Sequence, residues 1–135
     1  MMRYRLLEHT ADAMIEAYGD TLSERFANAA YAMFDQITDA NAITSVGEVT
    51  MSLSADSTEQ LLVDFLQELL FLHDTENLVF AEFEVRVTGN TLEASVRGEQ
   101  FDDSRHQKRA VVKGVTYHNL KIDDDMQKIV LLLDV

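Results

Sequence analysis

The apolar positions of the chain alternate between a period of two and a period near 3.6, and the changes of period mark the elements. Arg3 to Glu8 and Ala13 to Tyr18 read as short strands, apolar at Leu6 and at Met14 or Ile15, with the polar stretch His9-Thr10-Ala11-Asp12 as the turn between them. After Gly19-Asp20, Thr21 and Glu24 have capping-box spacing and open a helix whose stripe is Leu22, Phe26, Ala29, Ala30, Met33 and Ile37. A second helix opens with the same spacing at Ser57 and Gln60. It presents Leu61, Leu62, Phe65, Leu66, Leu69 and Leu72 and ends near His73-Asp74. Val46 to Ser54 alternates as a strand, as do Val79 to Val87 and Leu92 to Val96, with Gly89-Asn90 as a hairpin turn. Ala110 to Ile122 and Lys128 to Asp134 complete the pattern around the loop Asp123 to Gln127. The order is ββαβαββββ. Wide apolar stripes on two helices fit a sheet surface, so the expected class is α+β: a two-layer domain with both helices on one face of a mixed, largely antiparallel sheet.

Composition narrows the function. The chain has 135 residues, and no linker or repeat divides it, so residues 1–135 read as one domain. With 24 acidic and 11 basic residues the formal charge is −13, which repels a polyanion and favours cations and basic protein partners over nucleic acid. The cluster Arg105 to Arg109 reads as a solvated loop. Without cysteine there is no disulfide, thiolate zinc site or cysteine nucleophile. No apolar run is long enough for a membrane span and the N-terminal residues carry no signal-peptide core, so the expectation is a soluble, cytoplasmic protein. Phosphate-loop, dinucleotide, zinc-protease and serine-esterase motifs are absent.

Two places retain chemistry. Taking Asp123 to Gln127 as the loop sets Ile122 opposite Lys128, Asp134 opposite Thr116 and Leu132 opposite His118, so Thr116, His118 and Asp134 share a face and Lys113 lies on the other. The second place is Asp12. An aspartate between strands is ordinarily a turn residue and one in a terminal strand is ordinarily solvated. Were the two to converge with backbone carbonyls, they would form a hard oxygen site for calcium, magnesium or manganese. His9, His118 and Asp12 are the alternative set, for zinc. The Asp123 to Asp125 run lacks EF-hand spacing and reads as a solvated turn.

His9-Thr10-Ala11-Asp12, the Glu24 to Ala30 region, the Leu61 to Asp74 helix, Gly98-Glu99-Gln100-Phe101-Asp102, Lys113-Gly114-Val115-Thr116-Tyr117-His118 and the closing Val130 to Val135 together resemble the archease family. The likeness runs in order over essentially the whole chain. It departs at Ala13, where a larger aliphatic residue is usual, and at Gly114, often alanine, both matters of packing. The resemblance implies a non-enzymatic activator of the GTP-dependent tRNA-splicing ligase, promoting metal-dependent guanylylation of the ligase and its multiple turnover. It also implies a divalent metal site, calcium first and magnesium or manganese otherwise, at Asp12 and Asp134 with backbone oxygen from Val135. A chaperone-like role toward other RNA-modifying enzymes is the alternative. A stand-alone metal-dependent hydrolase is disfavoured, because no nucleophile or base accompanies the carboxylate pair.

Overall fold

The structure, a computed structural model, describes residues 2–7 and 12–135. The strands are β1 (Tyr4–Leu7), β2 (Ala13–Tyr18), β3 (Gly47–Ser54), β4 (Leu78–Thr88), β5 (Thr91–Gln100), β6 (Gly114–Asp123) and β7 (Lys128–Asp134), and the helices are α1 (Leu22–Ile37) and α2 (Thr58–Glu76). The α+β class and the order of elements are those read from the pattern. The sheet is different: the strands divide into one of order β1-β2-β7-β6 and one of order β3-β5-β4. Every pairing among the described residues is antiparallel. Both helices bridge the two sheets, α1 packing on β2 and β4 and α2 on β6 and on β3, β4 and β5. That double duty explains why Val63 and Leu70 are buried along with the expected stripe of α2. A helix touching two surfaces buries a wider arc than one lying on a single sheet.

Local chemistry sets the helix ends. The Thr21 hydroxyl accepts from the Glu24 N–H at the start of α1, and the Ser57 hydroxyl accepts from Gln60 at the start of α2. At the end of α2, Asn77 takes a left-handed conformation, φ 59°, and donates its backbone N–H to His73. Phe34 sits near the centre of the core, edge-on to Phe80 at 5.5 Å between ring centres. Gly98, in the middle strand of the second sheet, passes so close to β4 that a Cβ there would lie 1.8 Å from the Val79 carbonyl oxygen. No helix among the described residues is long and apolar enough to cross a membrane.

The last hairpin departs from the expected geometry in three ways. First, β6 starts at Gly114 rather than Ala110. The N–H groups of Arg109 and Ala110 donate instead to the carbonyls of Ile37 and Gln36, satisfying the end of α1 and leaving no ladder for a strand there. Second, Asp123 pairs with Lys128, so Ile122 faces Ile129 rather than Lys128. Third, the register shifts between Thr116 and Lys121, around Asn119 at φ 61°, and Asp134 therefore pairs with Gly114 and Leu132 with Thr116.

The charged loops are also less free than their composition suggests. In the Arg105 to Arg109 cluster, Arg105 pairs with Glu99 and Asp102, Arg109 with Asp35 at 3.3 Å, and His106 is buried. In the acidic turn, Asp124 accepts from Arg25, a residue only 5% exposed, at 2.8 Å.

Candidate carboxylate site at the strand ends

β2 and β7 are the two middle strands of the four-stranded sheet, and their ladder ends with Ala13 opposite Leu133. Asp12 precedes Ala13 and Asp134 follows Leu133, so the same register carried one step further sets Asp12 across from Asp134. Directly opposed residues point to the same face, with Cβ atoms about 4.5–5.5 Å apart. The opposite neighbour of Asp134 on β6 is Gly114, which has no side chain to cover the carboxylate. Asp12 is half-buried and Asp134 exposed.

The backbone around the pair is fixed independently of the side chains. The Lys113 N–H donates to the Asp134 carbonyl at 2.6 Å. Val135 continues past this bond, half-buried against the core. The strand end that carries Asp134 is therefore pinned on both sides. Two carboxylates about 5 Å apart, as directly opposed residues would place them, would repel by about 1–3 kcal/mol at effective dielectric constants between those of water and a protein surface. A hard dication would replace that repulsion with attraction.

The remaining sequence candidates separate. Thr116 lies on the same face as Asp134, one row further in, because the register difference from the expected pairing is an even number of residues. Lys113 contributes its backbone to Asp134 and lines a groove together with α2 residues and Leu53. His118 is exposed and falls within the shifted segment, so it does not oppose Leu132; its N–H donates to the Thr116 hydroxyl at 3.0 Å. His9, and with it part of the zinc alternative, lies outside the described residues. Among the described residues no three His, Asp or Glu side chains gather as a metal-binding group.

Sequence reasoning missed two ionic centres. Glu16 lies on the same sheet face as the pair but is almost fully buried. The Tyr18 hydroxyl at 2.6 Å holds its carboxyl below the usual range, helped by Lys128 and Arg5 at 3.1 Å each, against burial that would raise it. With those partners it is committed to the fold. Glu99 is the second. Burial would raise its pKa, but donation from the Thr44 N–H, Arg105 and His106 outweighs burial and holds it at about 2. The buried His106 ring accepts at Nδ1 from the Asp102 N–H, donates from Nε2 to Glu99, and stacks on Phe101. Alternation along β5 gave no sign of this, because all three donors to Glu99 come from segments without regular structure.

Comparison with known proteins decides the family. The sequence model of the archease protein family (MTH1598/TM1083) matches residues 4–135. The chain belongs to the archease family. It is 40% identical to the protein archease of Pyrococcus furiosus over 127 residues, covering 91% of this chain and 89% of that one. It is 36% identical to the archease of Methanothermobacter thermautotrophicus, with both chains covered completely. The fold agrees with the solution structure of Methanobacterium thermoautotrophicum protein 1598, at a TM-score of 0.85 and 35% identity over the whole of both chains. The archease resemblance read from the sequence blocks is thus borne out.

Proposed function

We propose that this archease activates a GTP-dependent tRNA-splicing ligase by presenting a divalent cation, held at Asp12, Asp134 and the Val135 backbone, to the ligase during its guanylylation. The observation that supports this reading is the β2–β7 ladder, which ends with Ala13 opposite Leu133 and whose register, carried one residue further, would set Asp12 across from Asp134. Family membership over residues 4–135 supports it.

The donor set is all oxygen, which suits calcium, and magnesium or manganese equally by ligand type. Two carboxylates and a backbone oxygen leave most of a six- to eight-fold shell to water and to groups from outside the chain. That favours a shared site over a closed one, because a cation so held has coordination to give to nucleotide phosphates. When bound, the ion would supply positive charge to a developing phosphoryl transition state. The chain itself carries Asp12 just before β2 and Asp134 at the end of β7, its paired strand, and pins the Asp134 carbonyl with the Lys113 N–H. It keeps Glu16 neutralised by its own partners, away from competition for the ion. The charge of −13 suits a basic, RNA-handling partner while discouraging contact with the RNA.

A guanylylation assay with purified ligase tests the reading. Wild type is expected to accelerate nucleotidyl transfer to the ligase. Asp12→Asn and Asp134→Asn are expected to abolish the acceleration while leaving the thermal midpoint within a few degrees, and to eliminate calcium binding measured by calorimetry. Full activation by a folded double variant would refute it. Loss of activation with calcium affinity intact would assign the carboxylates to protein contact instead.

A further inference from the structure

The solvent face of α2 carries an unused surface. Phe71 is 58% exposed and lines a groove of about 590 Å³ between α2, Leu53 of β3 and Lys113 just before β6. Asp64 and Glu68 lie two turns and one turn before Phe71 along this groove and Asp74 follows it. A second depression adjoins at Asp74 and is lined by Val111, itself 70% exposed, and His73. Two large apolar side chains thus lie exposed on either side of one carboxylate.

The charge around them is mainly acidic, Lys113 on the groove and Lys108 on the depression being the basic side chains there. From Asp56 to Asn77 the chain has six acidic residues and no lysine or arginine. Among the described residues, the basic side chains other than Arg3, Lys108 and Lys113 stand in ion pairs, and none of those pairs uses Asp64, Glu68 or Asp74. Arg3 lies over the Tyr31 ring. The partial negative charge at the C-terminal end of α2 adds to the same field. An apolar anchor beside three acids that enter no ion pair among the described residues, with Lys113 on the same lining, keeps a net acidic surface complementary to a basic segment bearing an apolar side chain. A second copy of this chain, also at −13, is repelled.

We propose that the exposed face of α2 from Asp64 to Asp74, with its groove against Lys113, docks a Lys/Arg-rich protein segment that seats an apolar side chain beside Phe71. Resting on the function proposed above, that segment belongs to the ligase. The groove and the carboxylate pair are close neighbours: Lys113, which walls the groove, is bonded through its N–H to Asp134. A segment seated beside α2 would bring its parent protein up to the strand end that carries the aspartates.

Calorimetry with two titrants at low and high salt tests the proposal: the purified ligase, and a synthetic amphipathic peptide of Lys and Leu. Phe71→Ser and Glu68→Lys are expected to weaken ligase binding about tenfold each, on the scale of a buried anchor or a reversed interface charge. Asp125→Lys, an equal charge change in the exposed β6–β7 turn, is expected to alter it less than about twofold. Raising the salt is expected to weaken wild type more than Glu68→Lys. Asp12→Asn is expected to bind the ligase normally and fail to activate it. Wild-type ligase affinity in Phe71→Ser and Glu68→Lys, or an equal loss in Asp125→Lys, overturns the docking surface. If the ligase binds no form of the protein, the peptide decides. Phe71-dependent peptide binding keeps the groove as a basic-segment site and removes the ligase reading, whereas peptide binding that ignores Phe71 and Glu68 overturns the groove.

Discussion

Replacing Glu99 with glutamine removes one charge from a carboxyl that accepts from the Thr44 N–H, Arg105 and His106, and so tests how the irregular segment after β5 is held. A carboxyl held at about 2 in the folded chain, against 4.5 ordinarily, carries at most about 3 kcal/mol of folding free energy at neutral pH. Arg105 is half exposed, so screening by solvent lowers the expected contribution to about 1–2 kcal/mol. The sign follows from the lowered folded value. The stabilisation is complete above about pH 4.5 and disappears as the pH falls toward 2. Urea denaturation of wild type and Glu99→Gln at pH 7, 4 and 2.5 measures it. At pH 7 the variant is expected to be less stable by about 1–2 kcal/mol, and the gap is expected to close as the wild-type carboxyl protonates. A gap unchanged from pH 7 to pH 2.5 would show that the loss is one of packing. No gap at pH 7 would refute the ionic role outright.

Three further substitutions probe the framework. Gly98→Ala puts a Cβ 1.8 Å from the Val79 carbonyl oxygen. It is expected to cost about 3 kcal/mol or more, at the upper end of overpacking effects, read as a large fall in thermal midpoint. Gly114→Ala meets nothing closer than the Gln67 amide at 3.8 Å, and is expected to change stability by no more than about 1 kcal/mol, in the stabilising direction, by calorimetry. Arg25→Met removes the bond to Asp124 and the one to the Gly19 carbonyl at 3.2 Å. It is expected to cost about 1–3 kcal/mol in urea denaturation.

Much of this architecture is legible residue by residue. Thr21 with Glu24 and Ser57 with Gln60 announce both helices, because a hydroxyl three residues before an acid or amide is a local solution to a local problem. Alternation locates the strands for the same reason. The division into two sheets has no such signal, since it depends on which distant strands meet. Ala110 to Lys113 alternates like a strand, but the N–H groups of Arg109 and Ala110 are claimed by the end of α1. Arg105 and Arg109 look solvated until Glu99 and Asp35 arrive from other elements. At the site, Asp134 faces Gly114 rather than Thr116, yet it keeps the face expected of it because the offset is even. The placing of Ala13 opposite Leu133, which puts Asp12 and Asp134 at the same end of the sheet, depends on the β2–β7 register, which no turn between those strands could reveal.

The shifted stretch in β6 has a mechanical consequence. On one partner strand, Gly114–Thr116 keeps one alignment and Lys121–Asp123 another, with Tyr117–Leu120 as slack between them. A change of length in the Asp124–Gln127 turn alters the second alignment first, and the slack absorbs it before it reaches Gly114. The two ends of the hairpin are insulated from each other. Evolution, or an engineer, can lengthen the turn without altering the alignment of Gly114 with Asp134.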